Sequence, residues 1–204
     1  MEDFILSSGQ QFEFEVHVDR SNKAMSPFFE IPVYVTKGVT RIDVNFQYDK
    51  SNDCLIDIGI LDSTATNFPT QRGFRGWSGG ARDHFFVARD SATPGYYAGE
   101  IHEGVWKIVL GLYILPVEGA SIKLGMKADD SARKLFVAPE PVRVRRNGAG
   151  WFRGDLHCHT YHSDAKGSPE LLTENARMVG LDFLAVTDHN TTTQWQYFGQ
   201  KSTK

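Results

Sequence analysis

Between residues 11 and 18 apolar and polar side chains alternate without a break. Phe12, Phe14, Val16 and Val18 share one parity, and Glu13, Glu15 and His17 the other. Successive side chains of a strand point to opposite faces, so the pattern predicts a strand with one side on a core. The same period returns over residues 40–48, where Ile42, Val44, Phe46 and Tyr48 fall together. Residues 28–36, 84–89, 105–115 and 121–127 predict further strands. Residues 54–61 are apolar on both parities, the mark of a central strand buried on both faces. Asp49-Lys50-Ser51-Asn52-Asp53, Thr93-Pro94-Gly95-Tyr96 and Pro116-Val117-Glu118-Gly119 are turn clusters between these runs. About seven strands with almost no helical periodicity predict an antiparallel β-sandwich, with enough chain to bury one core.

Two parts of this region do not follow the alternation. Residues 67–82 are rich in Gly and Arg and hold Arg75-Gly76-Trp77-Ser78-Gly79-Gly80. Trp and Arg among glycines suit either an interface anchor or a structural Ω-loop. His17, His84 and His102 have no second ligand type nearby in sequence and read as surface or hydrogen-bonded residues.

After residue 137 the pattern changes. Ala138-Pro139-Glu140-Pro141 stiffens the chain, residues 142–146 read as a short basic strand or linker, and Asn147-Gly148-Ala149-Gly150 reads as a hinge. The expected division is a β-sandwich over residues 1–146 and a second domain over 151–204. Residues 152–159 predict a short buried strand and residues 182–187 a second one. Between them Ser168 caps a helix with Pro169 at its first position and Glu170 in its first turn. Leu172, Ala176 and Val179 form its apolar stripe, and Gly180 ends it. Strand, helix and strand make one parallel crossover unit.

Composition narrows the function classes. The chain has 204 residues, 41% of them hydrophobic, and a net charge of −3. Without a basic excess it is not expected to bind nucleic acid or a membrane surface. The N-terminus lacks a charged segment followed by an apolar one, and no apolar run reaches membrane-spanning length. Its two cysteines, Cys54 and Cys158, lie far apart in predicted strands, so no structural disulfide is expected. The expected location is the reducing cytoplasm.

The candidate chemistry is in the second domain, in Asp155-Leu156-His157-Cys158-His159 and Thr187-Asp188-His189-Asn190. Residues two apart on a strand share a face, so His157 and His159 would project together with Cα atoms roughly 6.5–7 Å apart. Cys158 would face away. Two imidazoles at that separation can lean onto one ion. Asp155 shares the face and could orient a ligand histidine. A loop could return the Asp164 carboxylate to the same ion. The ends of two parallel strands open on one rim, which would bring His189 beside the pair. His162 is preceded by Tyr161 rather than Asp, so the contiguous His-x-His-x-Asp-His pattern of metallo-β-lactamase-type enzymes is absent. His162 is expected to contact substrate, not metal.

The run from Asp155 to Ala165, the helix, and Leu181 to Asn190 together resemble the first two motifs of the PHP (polymerase and histidinol phosphatase) metallohydrolases. The resemblance covers residues 152–193. It implies that His157, His159, Asp164 and His189 are metal ligands, and that the fold is a distorted βα barrel with metal ions at its C-terminal rim. The amidohydrolase barrel also opens with a His-x-His strand, but the Thr-Asp-His-Asn ending favours the PHP template. With Gly104-Val105-Trp106 and the Gly-rich segments added, the chain resembles the CehA/McbA type, in which a β-sandwich precedes the catalytic barrel. The implied activity is hydrolysis of ester, amide, carbamate or phosphoester bonds of a small-molecule substrate by metal-activated water. The donor types suit zinc, manganese or iron. The family's further ligands, and any general acid, come from later motifs. The expectation is therefore the N-terminal part of a longer enzyme, or of one whose C-terminal half is separately encoded. The alternative is a non-catalytic β-sandwich binding module with a vestigial PHP tail.

Overall fold

The structure is a computed structural model, and it describes residues 4–51, 53–80, 82–130 and 150–198. The chain forms two compact units, Met1–Phe136 and Val137–Lys204. The proline-rich stiffener, the basic strand and all but the last residue of the glycine hinge lie outside the described residues.

In the first unit the elements are β1 (Phe4–Leu6), β2 (Gln11–Val18), α1 (Arg20–Met25), β3 (Phe28–Val35), β4 (Arg41–Tyr48), β5 (Leu55–Leu61), β6 (Phe74–Ser78), β7 (His84–Ala88), β8 (Gly104–Ile114) and β9 (Ala120–Asp129). They make a five-stranded sheet, β1-β3-β8-β5-β6, and a four-stranded sheet, β2-β9-β4-β7. One apolar core draws on both sheets: Ile31, Ile56, Ile58, Ile60, Trp106 and Leu110 from the first, Ile42, Val44, Phe46, Phe85 and Leu124 from the second. The inward parity read from β2 and β4 is the parity observed: Ile42, Val44 and Phe46 are buried, while Glu13, Glu15, Asn45 and Gln47 are exposed.

The sandwich is not purely antiparallel. β1 pairs with β3 in parallel, because the intervening β2 lies in the other sheet and the chain returns through α1 before β3. Phe4 on β1 stacks on Phe14 of β2, ring centroids 4.1 Å apart, so aromatic contact joins the two sheets at this end. Neither β1 nor α1 carries a periodic signal, one having three residues and the other no buried side chain. α1 exists because of its capping box: the Asp19 carboxylate accepts the backbone N–H groups of Ser21 and Asn22, and the Asn22 side chain accepts that of Asp19.

The Gly- and Arg-rich segment folds inward. β6 lies beside β5, and Trp77 crosses the outer face of that sheet over Gly59 and Gly111. Its indole N–H donates to Asp57 at 2.9 Å, and Phe68 stacks on it with centroids 5.1 Å apart. The guanidinium of Arg75 is buried and donates to the carbonyls of Tyr97, Gly99 and Glu100. These residues are internal anchors, which answers the choice between interface and structural loop in favour of structure. They also explain why β5 is apolar on both parities.

The second unit contains β10 (Gly154–Cys158), α2 (Pro169–Met178), β11 (Phe183–Val186) and α3 (Trp195–Phe198). β10 and β11 are parallel. α2 begins as expected, with the Ser168 hydroxyl accepting the Leu171 N–H and Pro169 at the first position. Two expectations need correction. β10 is exposed rather than buried: Leu156 is 73% exposed and Phe183 on β11 is 43% exposed. Within α2 the stripe is buried at Ala176, half-buried at Leu172 and exposed at Val179. A two-stranded sheet cannot cover both of its own faces, so the apolar pattern of these strands is only partly used. Among the described residues this unit holds one strand–helix–strand module, and a βα barrel is not seen.

Candidate metal centre

The C-terminal end of β10 carries an irregularity that shapes everything beyond it. Gly154 pairs with Phe183 and Asp155 with Leu184, but the next pair is Cys158 with Val186. Three steps on β10 therefore match two on β11, which is a bulge at Leu156 and His157. The Asp155 carboxylate sits inside it and accepts the His157 N–H at 2.9 Å. That bond, and a second from the Cys158 thiol, hold the Asp155 carboxyl below the ordinary carboxylate range. Asp155 thus stabilises the bulge and does not orient a histidine ring, because the bulge breaks the parity on which that expectation rested.

Past the bulge the sequence-predicted residues come together. The Nε2 atoms of His157 and His159 are 2.9 Å apart. His159 Nδ1 is 2.7 Å from the Asp164 carboxylate, whose other oxygen is 3.5 Å from His189 Nε2. The His159 and His189 rings meet edge to face at 4.5 Å between centroids. His159, Asp164 and His189 each place one ligand atom within 4.8 Å of the others. Two ligands on a tetrahedral zinc ion are about 3.4 Å apart, given bonds of about 2.1 Å. The Asp164–His189 separation is close to that value, while His159 and Asp164 stand at hydrogen-bond distance and would have to part slightly to admit an ion. Two imidazoles with a carboxylate form a donor set suited to zinc, manganese or iron. His157 stands on the other side of the His159 ring from Asp164. One ring offers one nitrogen to a given ion, so the group read from the structure is His159, Asp164 and His189, with His157 adjoining it. The hydrogen bond from His159, with a smaller one from its own backbone N–H, holds the Asp164 carboxyl below the usual carboxylate range.

Cys158 and Cys54 are free thiols. Burial, then the bond to Asp155, pushes the Cys158 thiol above its ordinary pKa, which leaves it a poor nucleophile. His162 is only 1% exposed. Its Nδ1 lies 2.7 Å from the Thr193 hydroxyl, and its ring is flanked by Tyr161 and Tyr197. It is part of the interior of the unit, which corrects the expectation of a substrate contact.

One residue beside the site had no assigned role in the sequence reading. Asp188 is buried at 7% exposure and receives the Thr160 N–H at 2.6 Å and the Thr160 and Ser163 hydroxyls at 2.7 and 2.6 Å. The only sequence signal is an Asp directly before a strand-end His. Its partners lie 25 and 28 positions away, so the pairing is a property of the fold.

In comparisons with known families, curated proteins and solved structures, nothing matches this chain. No helix among the described residues is long and apolar enough to cross a membrane.

Proposed function

We propose that the second unit is the PHP-type metal centre of a metal-dependent hydrolase acting on ester, amide, carbamate or phosphoester bonds. The observation that carries the reading is the convergence of His159, Asp164 and His189 from two strand ends, with the four-residue loop of residues 160–163 between the first two. A divalent ion bound there would supply Lewis-acid chemistry, lowering the pKa of water and polarising the scissile group. His159 and His189 would bind through neutral ring nitrogens, and Asp164 would balance the charge of the ion. His157 would bind beside them or hold the His159 ring. His157, Asp164 and His189 are all exposed, which leaves the ligand side chains open to a small-molecule substrate.

The test is hydrolysis of chromogenic phosphate and carboxyl esters by the full chain, loaded in turn with zinc, manganese and iron. Turnover that chelator removes and His159→Ala abolishes supports the proposal. With the ligands on an exposed two-stranded sheet, the expected rate is low, since misplacement by about 1 Å can cost roughly 100-fold. A chain that takes up no divalent ion would overturn it and leave the first unit as the functional part, a β-sandwich binding module.

A further inference from the structure

We propose that Asp188 is the positioning residue of this centre: its buried carboxylate sets the spacing of the three ligand residues and is not itself a ligand. The inference rests on the metal-centre reading above and adds a role for a residue outside the ligand set. Thr160 directly follows His159, Ser163 directly precedes Asp164, and Asp188 directly precedes His189. The three bonds to Asp188 thus join the neighbours of all three ligands at one carboxylate. Oδ1 accepts the Thr160 N–H and the Ser163 hydroxyl, and Oδ2 accepts the Thr160 hydroxyl. Both oxygens are engaged inside the unit, and Thr160 is fully buried.

The loop is tightened further from within. The Thr160 carbonyl accepts the N–H groups of Ser163 and Ala165, and its hydroxyl accepts that of His162. Hydrogen bonds to an ionised carboxylate are roughly twice as strong as neutral ones, so Asp188 dominates this set. Without it the loop would keep its turn and its His162–Thr193 contact but lose the carboxylate that links it to the residue before His189, and His189 would drift from His159 and Asp164. Groups that orient metal ligands from behind typically change affinity by roughly 10–100-fold when removed.

The experiment is zinc titration of the full chain and of Asp188→Ala, Asp188→Asn and Thr160→Val, with amide hydrogen exchange on the metal-free proteins. Asp188→Ala is expected to lose about 10–100-fold in zinc affinity. It should also expose the Thr160 amide to fast exchange while the amides of Asp182 and Thr187, which donate to the carbonyls of Arg153 and Cys158, stay protected. Asp188→Asn should recover only part of the affinity, because bonds to a neutral amide are weaker than bonds to a carboxylate. Its amide oxygen keeps the Thr160 N–H and Ser163 bonds, and its NH2 can donate to a rotated Thr160 hydroxyl. Thr160→Val removes one bond without removing the carboxylate and keeps the protein testable if Asp188→Ala unfolds the unit; a several-fold loss with the Thr160 amide still protected is expected. Zinc affinity unchanged in Asp188→Ala, or in Thr160→Val where the former is unfolded, overturns the positioning role while the metal centre stands. A wild-type chain that binds no zinc overturns both.

Discussion

Two glycines in the middle of strands make opposite predictions. A Cβ added at Gly59 on β5 would lie 2.3 Å from Cε3 of Trp77 and 2.9 Å from the Gly76 carbonyl oxygen. Carbon atoms in contact prefer about 3.5 Å, so the indole would have to retreat by roughly 1.2 Å. It cannot do so freely. Phe68 stacks on its far side with planes 8° from parallel, and its N–H is bonded to Asp57. Overpacking of this kind costs about 1–3 kcal/mol, and loss of the indole bond adds about 1 kcal/mol. The entropy gained on replacing Gly in the unfolded chain returns only about 0.4–1 kcal/mol. Gly59→Ala is therefore expected to destabilise the first unit by about 1–3 kcal/mol. Gly125 on β9 differs: a Cβ there meets only the side chains of Asn45 and Glu13, at 3.5 Å, and the backbone is not left-handed. Gly125→Ala should be neutral or stabilising by up to about 1 kcal/mol. Urea unfolding followed by the fluorescence of Trp77 and Trp106, both buried in this unit, reads the two variants directly. A Gly59→Ala protein within about 0.5 kcal/mol of wild type would show that Trp77 is not seated on the sheet.

Arg75→Met removes a buried cation that holds three carbonyls and faces Asp62 at 3.7 Å, and should cost about 3–5 kcal/mol in the same assay. The Asp164 carboxyl should titrate below the usual carboxylate range by NMR, and His159→Ala should move it back up, since the His159 bond is the main cause of the depression. A depressed folded-state pKa stabilises the protein above the unfolded value of about 3.9 and ceases to do so as pH falls through the folded one. The loss therefore belongs below about pH 4, and it is small because the side chain is 53% exposed and screened by solvent.

Strands with one covered face were legible because burial imposes a two-residue period, as in Phe12, Phe14 and Val16 or Ile42, Val44 and Phe46. β6 was not, because its polar and glycine positions serve contacts distant in sequence: Gly76 lies against Tyr96, and Arg75 reaches carbonyls at residues 97–100. The parallel edge strand β1 was missed because three residues carry no period. In the second unit the His-x-His spacing and the strand-end Asp-His located the cluster. The bulge at His157 did not show, since it is set by pairing with β11, and with it went the role expected of Asp155. Asp188 and Thr160 were invisible for the same reason: buried polar residues find partners through the fold, not through spacing.

The proposed metal centre requires that His159 and His189 ligate one ion together with Asp164. Nitrogen-15 NMR of the imidazole rings during zinc titration tests it most directly, because it reads each of the seven histidines separately. One ring nitrogen each of His159 and His189 is expected to shift to a metal-bound position at a single equivalent, while His17, His84, His102 and His162 stay unchanged. Zinc that moves His17 or His84 while leaving His159 and His189 in place would contradict it.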